Sequence, residues 1–403
     1  MATSSLFDGF YASMLSTFHL LYIVILGILA KKLKMIDDNF QRSLSKVVTN
    51  IILPCFIFAL IVNNFRISQY QIILEAMLGC CFLFFFGLII GYIISKLLGL
   101  KKGQTQFLAA VFSTPHTVSM PVILMQVVGP VLDSMISSKY AFLGNSEKRG
   151  LLYIVMNSIF SNIWRWSGAY YLIQPEDRFD DYFDGLNEEE KQRLLQRPSR
   201  QFKERGLKDF LKSVINTPLI ASIFSLLFTI SPSFQSYFTV PGSLMHESLI
   251  SVNLMVAKSY GFIVMFLLGL SFADSIKIGE NNNEDDEQNN GRMFLTAFDL
   301  FWLSIMKLII MPLLACPFIL FIFRTWLEAD DVMTFIYLFM ASAPSAINII
   351  VICSYKDCYV EAVSLLMIIM YAASIITLTI QVTFFIYILG NPTNVSSQPI
   401  SSI

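Results

Sequence analysis

The chain has 403 residues, 55% of them hydrophobic and 14% charged, with a formal net charge of −1. A soluble domain would carry roughly 25% charged residues, so the composition excludes an ordinary water-soluble globule, and the near-zero charge offers nothing for a nucleic-acid partner to hold. Repeated apolar runs of about 18 residues or more, with 36 phenylalanines, set the class as an all-α polytopic membrane protein.

In chain order, hydropathy predicts a first span at about 12–30. No basic stretch precedes it, so it is expected to be retained as a membrane helix and not cleaved. Further spans are predicted at about 45–63, 71–95, 104–130 and 150–173. The second span contains Asn50-Ile51-Ile52-Leu53-Pro54, where Pro54 is expected to kink the helix. The fourth contains Pro115 and Pro121 among Ser113, Thr114, His116, Thr117 and Ser119.

A polar segment follows over 174–213, including Glu188-Glu189-Glu190-Lys191-Gln192-Arg193. It reads as a solvated cytosolic linker whose basic residues can also meet anionic membrane lipid. A second set of spans is predicted at about 214–230, 245–272, 294–323, 331–353 and 359–389. Asn281 to Asn290 forms an acidic low-complexity loop ahead of the eighth span, which carries Pro312 and Pro317. The ninth span contains Ser342-Ala343-Pro344-Ser345-Ala346-Ile347-Asn348. The expected organisation is therefore a first five-helix repeat (1–173), a linker (174–213) and a second five-helix repeat (214–403).

Basic residues alternate between the connections. Roughly 20 fall on one side, from Lys31 and Lys32 through Arg178–Lys212 to Lys356, against about five on the other, Arg66, Lys139, Lys148, Arg149 and Arg324. The rich side is then cytosolic, and both termini face the lumen or exterior. Five spans per half is an odd number, so two related halves must insert with opposite orientation, the inverted repeat of many alternating-access carriers.

The matched phrases around Pro115 and Pro344 carry the functional argument. A mid-membrane proline removes a donor and crowds the carbonyl one turn earlier. Unwound backbone is tolerated in a membrane only when packed in protein or lining a wet cavity. Two breaks meeting near the midplane would present backbone amides and half-helix N-termini to an anionic group. The alternative is a pair of kinks with local side-chain bonds to carbonyls. The candidate substrate-binding residues are Pro115, His116, Thr117, Ser119, Pro344, Ser345, Asn348 and Lys258. His116 is also the natural candidate for proton linkage.

Other ionisable residues within spans are Glu75, Arg165, Asp299, Lys307 and Glu361. Glu75, Asp299 and Glu361 fall near span ends, and Arg165 between Trp164 and Trp166 suits an interfacial anchor. Lys258 and Lys307 lie deeper, where each can pair with a carboxylate, snorkel or hold a substrate anion. The six cysteines read as small buried hydrophobes. No nucleophile–base pair, phosphate loop or metal-ligand spacing stands out, so no catalysis, cofactor or metal is expected.

Three stretches, Asn50–Pro54, Pro115–Pro121 and Ala343–Ile349, make the chain similar to the auxin efflux carriers (the PIN-FORMED proteins) and the PIN-like carriers, closest to short-loop members of fungi and protists. The resemblance spans essentially the whole chain. It implies that the fourth and ninth helices are broken and cross at a proline pair, each contributing an asparagine beside a substrate carboxylate. Asn348 matches the ninth-helix asparagine, whereas His116 stands at the fourth-helix position, a departure. The family's polar-glycine stretch before the second proline is contracted here to Ser119-Met120.

The resemblance further implies export of a small organic anion, indole-type or another amphipathic weak acid. The third to fifth and eighth to tenth spans would move against a scaffold of the first, second, sixth and seventh, through which related proteins often form a homodimer. The short central loop is similar to members of the endoplasmic reticulum membrane, with the plasma membrane or another endomembrane as alternatives. A competing reading is a sterol- or lipid-binding sensor with the same fold. Asn394-Val395-Ser396 is a glycosylation sequon close to the last span.

Overall fold

The computed structural model describes residues 2–66, 70–136, 140–174, 217–281, 295–356 and 358–390. Nearly all of the central linker, the acidic stretch beyond Asn281 and the tail with its sequon lie outside the described residues.

All regular structure among the described residues is helical, as the long apolar runs require when lipid offers no partner for backbone groups. The first half comprises α1 (Ala2–Lys32), α2 (Asp38–Val47), α3 (Leu53–Asn64), α4 (Tyr70–Leu97), α5 (Lys102–Ser113), α6 (Ser119–Met135) and α7 (Ser146–Trp164). The second comprises α8 (Thr217–Thr229), α9 (Pro232–Thr239), α10 (Ser251–Lys258), α11 (Tyr260–Asn281), α12 (Ala297–Ile305), α13 (Met311–Ile319), α14 (Asp331–Ser342), α15 (Asn348–Lys356) and α16 (Val360–Gly390).

Several helix starts are written in local chemistry. Asp37 caps α2 through Phe40 N, Asn145 caps α7 through Lys148 N, and Asp330 caps α14 through Val332 N. Thr296 and Asp299 form a reciprocal capping box at α12, which explains an acidic residue at that span's end.

Five stretches are long and apolar enough to cross a bilayer by length and composition: Asn39–Asn64, Tyr70–Leu97, His246–Ala273, Phe298–Trp326 and Ala362–Gly390. α8 and α9 meet that standard together but are bent by 108°. The bend follows from Ser231-Pro232, where the serine caps α9 and the proline occupies its first turn. α6 and α14 are shorter apolar helices, each one half of a broken segment.

Near the prolines expected to kink their spans, the helix widens into π-helical turns. A π-helical turn, Val48–Ile52, leads into Leu53-Pro54, and another, Met306–Ile310, leads into Met311-Pro312. A third, Leu320–Trp326, follows the helix containing Pro317. In the first two, the widened turn lies one turn before the proline, where its missing donor and ring crowding act.

Helices approach closely where glycines face one another. α1 crosses α11 at Gly27 and Gly269, and a Cβ built on Gly27 would stand 3.0 Å from the Gly269 Cα. α1 also packs on α6 and α16, and α3 packs on α8 and α10. α4 lies on α5 through Gly91, whose added Cβ would be 2.9 Å from the Ala109 Cα. Such small-residue contacts replace the hydrophobic drive that lipid removes. α14 is held between α7, α13 and α16, with almost every side chain buried. These contacts bring the two broken segments, α5/α6 and α14/α15, into the centre of the molecule.

Candidate functional site

The backbone leaves the helix at two places. α5 ends at Ser113 and α6 begins at Ser119; α14 ends at Ser342 and α15 begins at Asn348. Proline disfavours the helical conformation of the residue before it, and Ala343, ahead of Pro344, is extended at φ −69°, ψ 147°. Thr114, ahead of Pro115, has φ −115°, ψ 77°.

The two breaks satisfy each other. The His116 N–H donates to the Pro344 carbonyl at 2.9 Å, and the Ala346 N–H donates to the Thr114 carbonyl at 2.8 Å. These bonds make an antiparallel bridge between Pro115 and Ser345. Side chains take up the carbonyls left open at the end of α5. Ser345 Oγ donates to Val111 O at 2.7 Å, Thr114 Oγ1 to Ala110 O at 2.9 Å, and Lys307 Nζ to Phe112 O at 2.8 Å. At the end of α14, Ser342 Oγ donates to Leu338 O and the Ala343 N–H to Phe339 O. A buried break would otherwise leave several unmade backbone bonds.

Six predicted residues are gathered at this crossing. Pro115, Pro344 and Ser345 form the bridge. His116 Nε2 lies 3.1 Å from Ser119 Oγ at the start of α6. Thr117 Oγ1 lies 3.2 Å from Ser161 Oγ of α7. Asn348 stands just beyond, as the first residue of α15; it is half-buried, and its side-chain amide makes no hydrogen bond to the described residues. Lys258 is not brought to the crossing. It is exposed at the end of α10, with Glu147 as an electrostatic neighbour.

Other ionisable residues fall differently from the sequence reading. Arg165, expected as an exposed anchor, is instead buried, because its side chain reaches Thr117 in the fourth-helix break. Its Nη1 donates to Asn162 Oδ1 at 2.8 Å and its Nη2 to Thr117 Oγ1 at 3.2 Å. Lys307 is fully buried and does not snorkel; its Nζ donates to the Phe112 carbonyl. Glu75 is buried and bonded to Gln71. The Glu361 side chain lies outside the described residues.

Residues missed by sequence reasoning also line the site. Tyr371 of α16 donates its hydroxyl to Ser345 O at 3.3 Å and stands edge-on to the His116 ring, with centroids 6.0 Å apart. Trp164 Nε1 donates to Ser113 Oγ at 3.3 Å. Neither has a signal in the sequence beyond lying in an apolar run. A cavity of about 210 Å³ adjoins the crossing between α1, α6, α11 and α16. It is almost wholly apolar; Val24, Ile28, Met265 and Phe272 line it, and Met120 and Tyr371 connect it to the crossing.

The arrangement offers hydrogen-bond donors, two half-helix N-termini and an apolar chamber side by side. Among the described residues no cluster of His, Cys, Asp or Glu is placed to hold a metal ion.

A family model described as Membrane transport protein matches residues 12–382. An uncharacterized transporter of Schizosaccharomyces pombe is 21% identical over 407 residues, covering 84% of this chain and 86% of that protein.

Proposed function

This chain belongs to the Membrane transport protein family, the family of the PIN-like auxin efflux carriers, and from that premise we propose that it is a secondary carrier or uniporter for a small organic anion. The family makes it an integral membrane transporter; the substrate class and mechanism are our reading.

In this reading ten spans form two inverted five-helix repeats with both termini outside the cytosol, and the amphipathic carboxylate binds where the broken helices cross. The packing is consistent with that symmetry. α1 on α11 is the first span on the seventh, and α3 on α8 is its counterpart, the second on the sixth. α5 and α14, the first halves of the fourth and ninth, end at one shared bridge.

The observation that carries the proposal is the reciprocal pairing of the two breaks beside an asparagine bonded to none of the described residues. Backbone that pairs with its partner break can stay non-helical in a membrane without exposing orphan groups to lipid. Asn348 at the start of α15 then keeps its amide for a ligand, at a helix end that favours negative charge. The apolar cavity beside Met120 and Tyr371 would take the body of the acid.

Transport follows by moving the crossing, with the third to fifth and eighth to tenth spans, against a scaffold of the first, second, sixth and seventh. Membrane potential alone drives a monovalent anion outward by about 2.3 kcal/mol per 100 mV, so no coupling ion is needed. We assign the endoplasmic reticulum as the membrane and the scaffold helices as the face for homodimer and lipid contacts, on the family resemblance alone.

The test is flux of radiolabelled indole acetate and benzoate into proteoliposomes under an imposed voltage, with the wild type and Asn348→Ala. Saturable, voltage-dependent uptake that the substitution abolishes is the expected result. Specific sterol binding with no flux of any acid would overturn the reading.

A further inference from the structure

Arg165 stands on a π-helical turn, Arg165–Ala169, at the end of α7, with 5% of its surface exposed. Both acceptors it uses are neutral, the Asn162 amide oxygen and the Thr117 hydroxyl. Its Nε is buried with no hydrogen-bond acceptor among the described residues. Its electrostatic neighbours Cys80, Tyr260 and Tyr371 are not carboxylates.

Arg149, also buried, likewise has an Nε with no hydrogen-bond acceptor among the described residues, so the contrast between the two lies in the counter-charge. Arg149 is paired with the Asp330 carboxylate at 2.8 Å, with both side chains almost wholly enclosed. A buried cation that meets no carboxylate among the described residues is costly, and two neutral acceptors out of five donor positions do not replace it.

The position of Arg165 gives this cost a purpose. Thr117, its partner, lies two residues before the start of α6, so the guanidinium and the positive end of a 17-residue helix converge on one side of the crossing. His116 and Tyr371 stand at the same crossing, and Tyr371 and Met120 open onto the apolar cavity. A planar carboxylate matches the guanidinium fork and would supply the missing charge.

We propose that Arg165 is the substrate-binding residue that recognises the negative charge of the cargo, with Thr117 and Asn162 aiming it, so that this carrier selects anions through a buried arginine as well as through the helix ends. The inference rests on the reading of the crossing as the substrate site.

The experiment uses the full chain with benzoate as anionic probe and benzamide as its neutral counterpart. Flux is measured in phosphatidylcholine vesicles, which contain no anionic lipid to compete. Binding is read independently in detergent from the fluorescence of Trp164 and Trp166, which flank Arg165. Arg165→Gln is expected to raise the half-saturating benzoate concentration about tenfold or more and to leave benzamide unaffected. Arg165→Lys should restore part of the preference for the acid, since it keeps the charge but loses the fork. Should Arg165→Gln not elute as a single species, Asn162→Ala releases the guanidinium without removing it, and should weaken benzoate but not benzamide.

Wild-type benzoate affinity in Arg165→Gln, or equal losses for acid and amide, overturns the proposal. Loss of flux in Asn348→Ala with unchanged benzoate preference in Arg165→Gln sinks the arginine assignment and leaves the crossing intact. Absence of both flux and fluorescence response to benzoate, with saturable uptake of benzamide, sinks the anion reading and this inference together.

Discussion

The Lys307 ammonium donates to the Phe112 carbonyl oxygen at 2.8 Å, reaching the last turn of α5 from 195 positions away in the chain. A cation at a helix C-terminus meets the negative end of the peptide dipoles. The contact therefore fastens the first half of one broken helix to the span that carries Lys307. It also takes up a carbonyl that proline and the break would leave open.

Lys307→Met should leave that carbonyl buried and unpaired, costing about 1–3 kcal/mol. The expected readout is a lower unfolding midpoint in thermal denaturation of the detergent-solubilised protein. An unchanged midpoint would mean that water or another donor replaces the ammonium.

The Arg149–Asp330 pair is enclosed, and Tyr153 adds a hydroxyl to the same carboxylate at 2.8 Å. Removing one partner of a buried pair typically costs about 3–5 kcal/mol, whereas replacing both by apolar groups is often near neutral. Asp330→Ala should therefore reduce folded yield more than the double replacement Arg149→Met with Asp330→Leu. Equal losses in the two would contradict the buried-charge explanation.

Two neighbours at the crossing should separate by what they do. Ser345 is bonded to Val111 O, so Ser345→Ala should cost roughly 1 kcal/mol of stability. Asn348 is bonded to none of the described residues, so Asn348→Ala should change stability by no more than about 0.5 kcal/mol while abolishing flux. Thermal midpoints and flux measured on the same preparations check both halves of the statement.

α1 and α11 touch through Gly27 and Gly269, where a side chain meets backbone on the other helix. Gly27→Val should destabilise by about 1–3 kcal/mol, because main chain cannot move aside as a flexible side chain can. Monodispersity on size exclusion after extraction provides the measurement, and a well-behaved variant would show that the helices can part.

The breaks at Pro115 and Pro344 were legible in the sequence because proline acts locally, on its own turn and the residue before it. Their small polar neighbours marked the same places. Membrane class and the apolar stretches were equally legible, since they depend on composition within one segment. Arg165 was misread for the opposite reason. Its tryptophan neighbours suggested the membrane surface, yet whether a side chain is buried depends on which distant segment packs over it. Tyr371 and Lys307 likewise gain their carbonyl partners from remote segments.

The sequence by itself determined where helices can cross lipid and where they must break, because hydropathy and proline geometry are properties of short stretches. Only the tertiary structure decided that the two breaks complete each other through His116, Pro344, Thr114 and Ala346, that Lys307 closes one helix end, and that Arg165 faces the crossing without a described carboxylate. Those outcomes rest on pairings between residues tens to hundreds of positions apart. Hydrogen-bond satisfaction in a medium without water selects such pairings, and no local pattern encodes them.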